Sequence, residues 1–185
     1  LLLEAAGGAE EAAKAARRSL ARLKGPGVSE TILAAAENGE RVPRSSALEA
    51  IAARNLTEGI PLLLRARGAG EAGIRNAALA ALAEIGPYSA QDEVISWAVA
   101  ATDDTERTRA LRAVVAITQR GKDPATRARP LFTAIENATP ETAERLLGAL
   151  PRLGGETSAA CAARVAARTD AKLAAAAVGI LARWP

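Results

Sequence analysis

The chain has no histidine, no methionine, a single cysteine and only 2% aromatic residues. Each scarcity closes off a class of chemistry. Without His there is no Ser–His or Cys–His pair, and the commonest general base and zinc ligand are missing. Cys161 has neither a second Cys nor a His to join it, so it makes no zinc site and no internal disulfide. Flanked by Ala159, Ala160, Ala162 and Ala163, it reads as a small core residue. No apolar run reaches the roughly 18 residues of a membrane span, and Leu1-Leu2-Leu3 is too short and too uncharged at its flank for a secretion signal. The glycine-bearing loops fit neither the Walker nor the dinucleotide fingerprint. Glu10-Glu11 and Asp103-Asp104 fall at expected helix starts, where capping and the helix dipole account for them. The sequence thus assigns no catalytic residue, no metal ligand and no cofactor.

What the chain does have is alanine, about a quarter of its 185 residues, which favours helix and lets helices approach closely. Net charge is +3, and Arg far outnumbers Lys. A GC-rich bacterial genome gives that bias, and so does a basic binding surface.

A short helical signature recurs along the chain. It is clearest at Ile74–Gly86, where Leu79, Leu82 and Ile85 stand three apart and Gly86 follows. The triple returns as Leu111, Val114, Ile117, as Leu147, Leu150, Leu153, and as Val178, Leu181, Trp184. A shorter form is Leu48 and Ile51, and a worn one is Leu20 and Leu23. From marker to marker the steps are 31, 32, 36 and 31 residues. Such a period predicts stacked supersecondary units rather than one globular core.

Breakers at Gly25-Pro26-Gly27, Asn38-Gly39, Gly68-Ala69-Gly70, Gly86-Pro87, Gly121–Pro124 and Gly154-Gly155 divide the chain into eleven expected helices. These span about 9–24, 28–38, 42–54, 58–67, 72–85, 89–101, 105–120, 125–137, 141–153, 157–168 and 171–184, with Thr57, Asp103, Thr139 and Asp170 as expected N-caps. Signature helices are termed B and those preceding them A. Ile32, Leu63, Val94, Leu131 and Ile135 are among the apolar marks of the A helices. Each A–B hairpin leaves an apolar face that the next hairpin must cover. The approximate units are 1–25, 26–55, 56–86, 87–121, 122–154 and 155–185.

The string Ile74–Gly86 resembles the HEAT repeat family: an apolar residue, Arg, small residues, then spaced leucines. Four residues before each marker stand Arg44, Arg75 and Arg107, and eight before stand Glu40, Glu71 and Asp103. The acidic residue suits the helix start, and the Arg is expected to form a side-chain ladder between repeats. Ala143 and Ala174 interrupt that ladder in the last two units. Pro61 and Pro130 resemble the family's proline-kinked first helix, and Pro130 lies deep enough for a bend to be expected. Armadillo repeats would add a third helix per unit, and the landmarks of tetratricopeptide repeats are missing. The resemblance implies an all-α, right-handed α-solenoid of about five to six hairpins, and the unfinished end units are expected to belong to a longer array.

In that family the B helices line the concave face. Relative to each marker, positions −2, +1 and +5 are expected to point away from the core. In the second and third units they are Ser46, Glu49 and Ala53, then Ala77, Ala80 and Glu84. Later they become Arg109 and Arg112, then Arg145 and Arg152 around Gly148, then Gly179 and Arg183. These five arginines form the candidate groove, either as a generic solvated face or as a surface for an acidic segment. The resemblance implies a non-catalytic scaffold or protein-interaction module whose partner is another protein or another domain of the parent chain. Some HEAT-like proteins hold DNA, including alkylpurine DNA glycosylases, and others resemble bilin lyases. Nucleic acid is disfavoured here, because only Trp97 and Tyr88 are available mid-chain to stack on bases, and both are expected on an A helix.

Overall fold

The computed structural model describes residues 1–8 and 10–184. The chain is all-α, with no strand among the described residues, and it divides into two compact units, Leu1–Gly86 and Pro87–Pro185. The boundary falls at the Gly86-Pro87 breaker.

The first unit contains α1 (Leu2–Ala5), α2 (Glu10–Arg22), α3 (Val28–Asn38), α4 (Arg41–Ala53), α5 (Ile60–Arg65) and α6 (Ala72–Ile85). Short 3-10 turns, Thr57–Gly59 and Ala66–Gly68, flank α5. The B helix α4 packs on α1, α2, α3 and the next B helix, α6, which in turn packs on α5. Leu48, Ile51, Leu79 and Leu82 are fully buried at these contacts, together with Ile32 and Leu63 from the A helices. Each such side chain contributes about 1.5–3 kcal/mol by leaving water.

The second unit contains α7 (Gln91–Ala100), α8 (Asp104–Gln119), α9 (Arg129–Asn137), α10 (Pro140–Leu147), α11 (Leu150–Leu153), α12 (Gly155–Ala166) and α13 (Ala171–Leu181). Helix α7 packs on α8 and α9, α9 on α10 and α12, α11 on α8 and α12, and α13 on α12 and α10. Val114, Ile117, Leu131, Ile135, Leu147 and Leu150 fill this core.

Helix α9 starts at Arg129 rather than near 125, because Asp123 closes a turn with the Ala125 N–H (2.9 Å) and the Thr126 hydroxyl (2.6 Å). Pro130 therefore sits in the first helical turn, where its missing N–H costs nothing, and the expected bend disappears. The helix expected over 141–153 is two helices, with Pro151 in the first turn of the second. Gly154 and Gly155 then carry the chain into α12 at φ of 65° and 77°, a left-handed conformation that glycine adopts without strain. Val178 aligns with the buried markers but is 54% exposed, because α13 packs through Leu173 and Ala177 instead.

Caps follow the same pattern. Asp103 and Asp170 each accept a backbone N–H three residues on at 2.8 Å, and the Thr139 hydroxyl accepts that of Thr142 at 3.4 Å. Thr57 is not a cap; it lies inside the 3-10 turn, whose N-cap is Leu56. Glu40 and Glu71 occupy N-cap positions without a side-chain capping bond.

The arginines four residues before the markers do not form a ladder with one another. Arg44 donates to the Ala36 carbonyl (3.1 Å), Arg75 to those of Ala69 and Gly70 (both 2.9 Å), and Arg107 to that of Ala101 (3.3 Å). Each closes the turn at the end of the A helix in its own hairpin, where carbonyls lack helical partners. Elsewhere the cap arrives from a later helix: Arg54 reaches Leu20 and Leu23, and Arg168 reaches Ile135 and Ala138. Ladder-like ion pairs exist at other positions. Glu37–Arg65, Glu136–Arg164 and Glu144–Lys172 join successive hairpins at 3.0, 2.8 and 2.8 Å.

Candidate functional site

Helix α8 carries the centre of the basic face. The Asp103 cap sets where it begins, and Ala110, Ala113, Val114 and Ile117 set which side faces inward. Arg109 and Arg112 stand on the opposite side, both exposed, and among the described residues no hydrogen bond or ion pair engages either guanidinium. With Asp104, Thr105 and Thr108 they line an open depression of about 390 Å³. Asp104 is committed to Arg107, whose guanidinium is already turned toward the Ala101 carbonyl.

The structure brings together only these two of the five predicted arginines. Arg145 is half-buried and paired with Glu141 one turn back on α10. Arg152 is exposed on α11, and its carbonyl accepts a bond from the Gln119 amide at 3.4 Å. Arg183 lies beyond the end of α13 and folds back, its Nε donating to the Gly179 carbonyl at 3.0 Å.

In the first unit, the corresponding register lines a depression of about 340 Å³: Ser46, Glu49, Ala53, Ala80 and Glu84, with Arg17, Leu20 and Ala50. Arg17 crosses to Glu49 at 3.0 Å. Position −2 nevertheless departs from expectation, because Ser46 and Ala77 are buried. Neighbouring helices cover positions −5, −1 and +2 as well as the markers, as Ile74, Ala78 and Ala81 show in α6. The buried arc is therefore wider than the marker triple alone implies, and −2 lies at its edge. Arg109 escapes burial by virtue of a long side chain that carries its charge into water.

Of the two mid-chain aromatics, Trp97 is closed to stacking, whereas Tyr88 is 37% exposed with its hydroxyl engaged. Trp97 is 2% exposed and donates its indole N–H to the buried Glu106 carboxylate at 2.7 Å. Tyr88 lies in the 3-10 turn before α7 and donates its hydroxyl to the Arg127 carbonyl at 3.0 Å. Gln91, which carries no sequence signal, is buried beside it and donates to Thr118 (2.6 Å) and to the same carbonyl (3.0 Å). Gly121 packs under this arrangement, where a Cβ would come within 2.9 Å of the Tyr88 ring.

Cys161 is fully buried, as its alanine flanks imply. Burial pushes its thiol up to about 11, against the nearby Arg164 charge, so at neutral pH it is protonated and a poor nucleophile. Glu144 raises the Lys172 ammonium by accepting its hydrogen bond. Among the described residues, no three of His, Cys, Asp and Glu gather as a metal site, and no helix is long and apolar enough to cross a membrane.

No family model matches the chain, and no curated protein matches it. Among solved structures it is similar to the crystal structure of an engineered protein from the Northeast Structural Genomics Consortium, at 18% identity and a TM-score of 0.54. The similarity covers 98% of this chain and 86% of that one. The likeness is one of fold.

Proposed function

We propose that the chain is a non-catalytic protein-interaction module, a right-handed α-solenoid of HEAT-type hairpins whose B-helix face docks an acidic segment. The observation that carries this reading is the pair Arg109 and Arg112, exposed on one face of α8 with neither guanidinium engaged by any of the described residues. Most other arginines near the turns have internal work: Arg44, Arg54, Arg75, Arg107 and Arg168 hold backbone carbonyls. A guanidinium left without a partner gains charge-assisted, bidentate hydrogen bonds when a carboxylate or other oxyanion arrives.

The packing of A helix on A helix and B helix on B helix supports the solenoid reading, as does the recurrence near 32 residues. Burial of Trp97 weighs against nucleic acid, which would need a stacking side chain on a denser basic surface.

The test is a fluorescence titration with a labelled Glu-rich peptide at low salt. The double charge reversal Arg109→Glu with Arg112→Glu weakens binding at least about tenfold while circular dichroism stays unchanged. Unaltered affinity in a folded double variant would overturn the reading.

A further inference from the structure

We infer that the α8 depression recognises a phosphorylated serine or threonine within the docked protein segment, a refinement that rests on the acidic-segment reading above. The argument begins with spacing. Thr105 and Arg109 are four apart, as are Thr108 and Arg112, so each hydroxyl lies one helical turn from a guanidinium. All four residues fall within about 100° of the helix circumference at 100° per residue. They line the same depression, and the two threonines and two arginines are all exposed.

Charge then selects the ligand. Asp104 also lines the site, but its ion pair with Arg107 balances it, leaving Arg109 and Arg112 as two uncompensated cations. A phosphomonoester carries about −1.5 to −2 near pH 7 and offers three acceptor oxygens. A carboxylate carries a single charge, which neutralises one of the two guanidiniums. Two guanidiniums on one face therefore match a phosphate group in charge, and the two neighbouring hydroxyls add further donors for its third oxygen. Arg145, by contrast, has its own carboxylate in Glu141 and adds no free charge.

The experiment compares three peptides of one sequence, carrying phosphoserine, glutamate or serine at the central position, titrated by calorimetry into the intact chain at low salt. The phosphoserine peptide binds at least about tenfold more tightly than the glutamate peptide, the equivalent of about 1.4 kcal/mol. Arg109→Ala and Arg112→Ala each remove most of that difference, and the double change Thr105→Val with Thr108→Val reduces it about threefold. Affinity for phosphoserine also falls between pH 7.5 and 5.5, as the phosphate takes up its second proton near pH 6, whereas the glutamate peptide shows no such step.

Equal affinity for phosphoserine and glutamate would overturn the phosphate assignment and leave the acidic-segment reading standing. Absence of saturable binding by both would remove the two together. Phosphoserine binding that survives both arginine substitutions would place the site elsewhere and overturn the assignment. Inorganic phosphate is the control: binding as tight as the peptide's would show a site for the free anion and likewise overturn it.

Discussion

In Leu1–Gly86 the outward register of the B helices holds Glu49, Ala53, Ala80 and Glu84, whereas in Pro87–Pro185 the same register holds Arg109, Arg112, Arg145, Arg152 and Arg183. The interiors differ as well. The first unit buries an almost wholly aliphatic set with Ser46 its single buried polar side chain among the described residues, while the second buries Gln91, Glu106, Thr118 and Ser158 and the indole of Trp97. Apolar packing is non-directional and holds helices together without choosing one arrangement sharply. A buried amide or carboxylate must find its partner, so it selects among arrangements. The unit that carries Arg109 and Arg112 is thus the one with more polar side chains paired in its interior, a combination that suits a surface which must keep its donors in place.

The largest effect is expected where one repeat position has opposite surroundings. Leu79→Ala removes a fully buried side chain and destabilises by about 2–5 kcal/mol in urea unfolding, whereas Val178→Ala, at the equivalent position, stays within about 0.5 kcal/mol. Similar losses for both would show that Val178 is covered in solution. Next, Trp97→Phe withdraws the donor from the buried Glu106 carboxylate and costs about 1–3 kcal/mol; a cost below about 0.5 kcal/mol would mean that the second unit's polar core is no more specific than the first's. Arg75→Ala, which frees the Ala69 and Gly70 carbonyls, is expected to cost about 1 kcal/mol, and Arg75→Lys to recover only part of it because an ammonium lacks the planar fork. The smallest effect belongs to the exposed pair between Glu37 and Arg65, where Glu37→Gln should change stability by less than about 0.5 kcal/mol at 0.15 M salt.

Much of this was legible in the order of residues. Leu48, Leu79 and Leu147 are buried where spacing places them, and Asp103, Thr139 and Asp170 cap the helices they precede. Periodicity locates an apolar face because burial is a property of the helix surface itself. It fails at Val178, where which side is covered depends on the neighbours of α13 and not on α13. Leu111 behaves similarly: it is only half-buried, with Ala110 turned fully inward. Pro130 was misread because the Asp123 turn holds residues that composition alone leaves helical. The role of Arg44, Arg75 and Arg107 stayed hidden since their partners are backbone carbonyls, which every residue possesses and no sequence pattern marks. Of the candidate face, residue identities were readable, but not that Glu141 had already claimed Arg145, nor that Arg109 and Arg112 would be left without a partner among the described residues.

The two kinds of arginine closure also govern how such a chain can change over generations. A hairpin closed by its own arginine, as at Arg75, can be copied or excised by recombination without leaving a neighbour's carbonyls bare. A hairpin whose turn is closed from a later helix, as Leu20 and Leu23 are by Arg54 and Ile135 and Ala138 by Arg168, is inherited together with that helix or loses its seal. Duplication breakpoints among kindred chains should therefore accumulate at the ends of that hairpin, around residues 55–56 and 86–87, and be rare between 138 and 168.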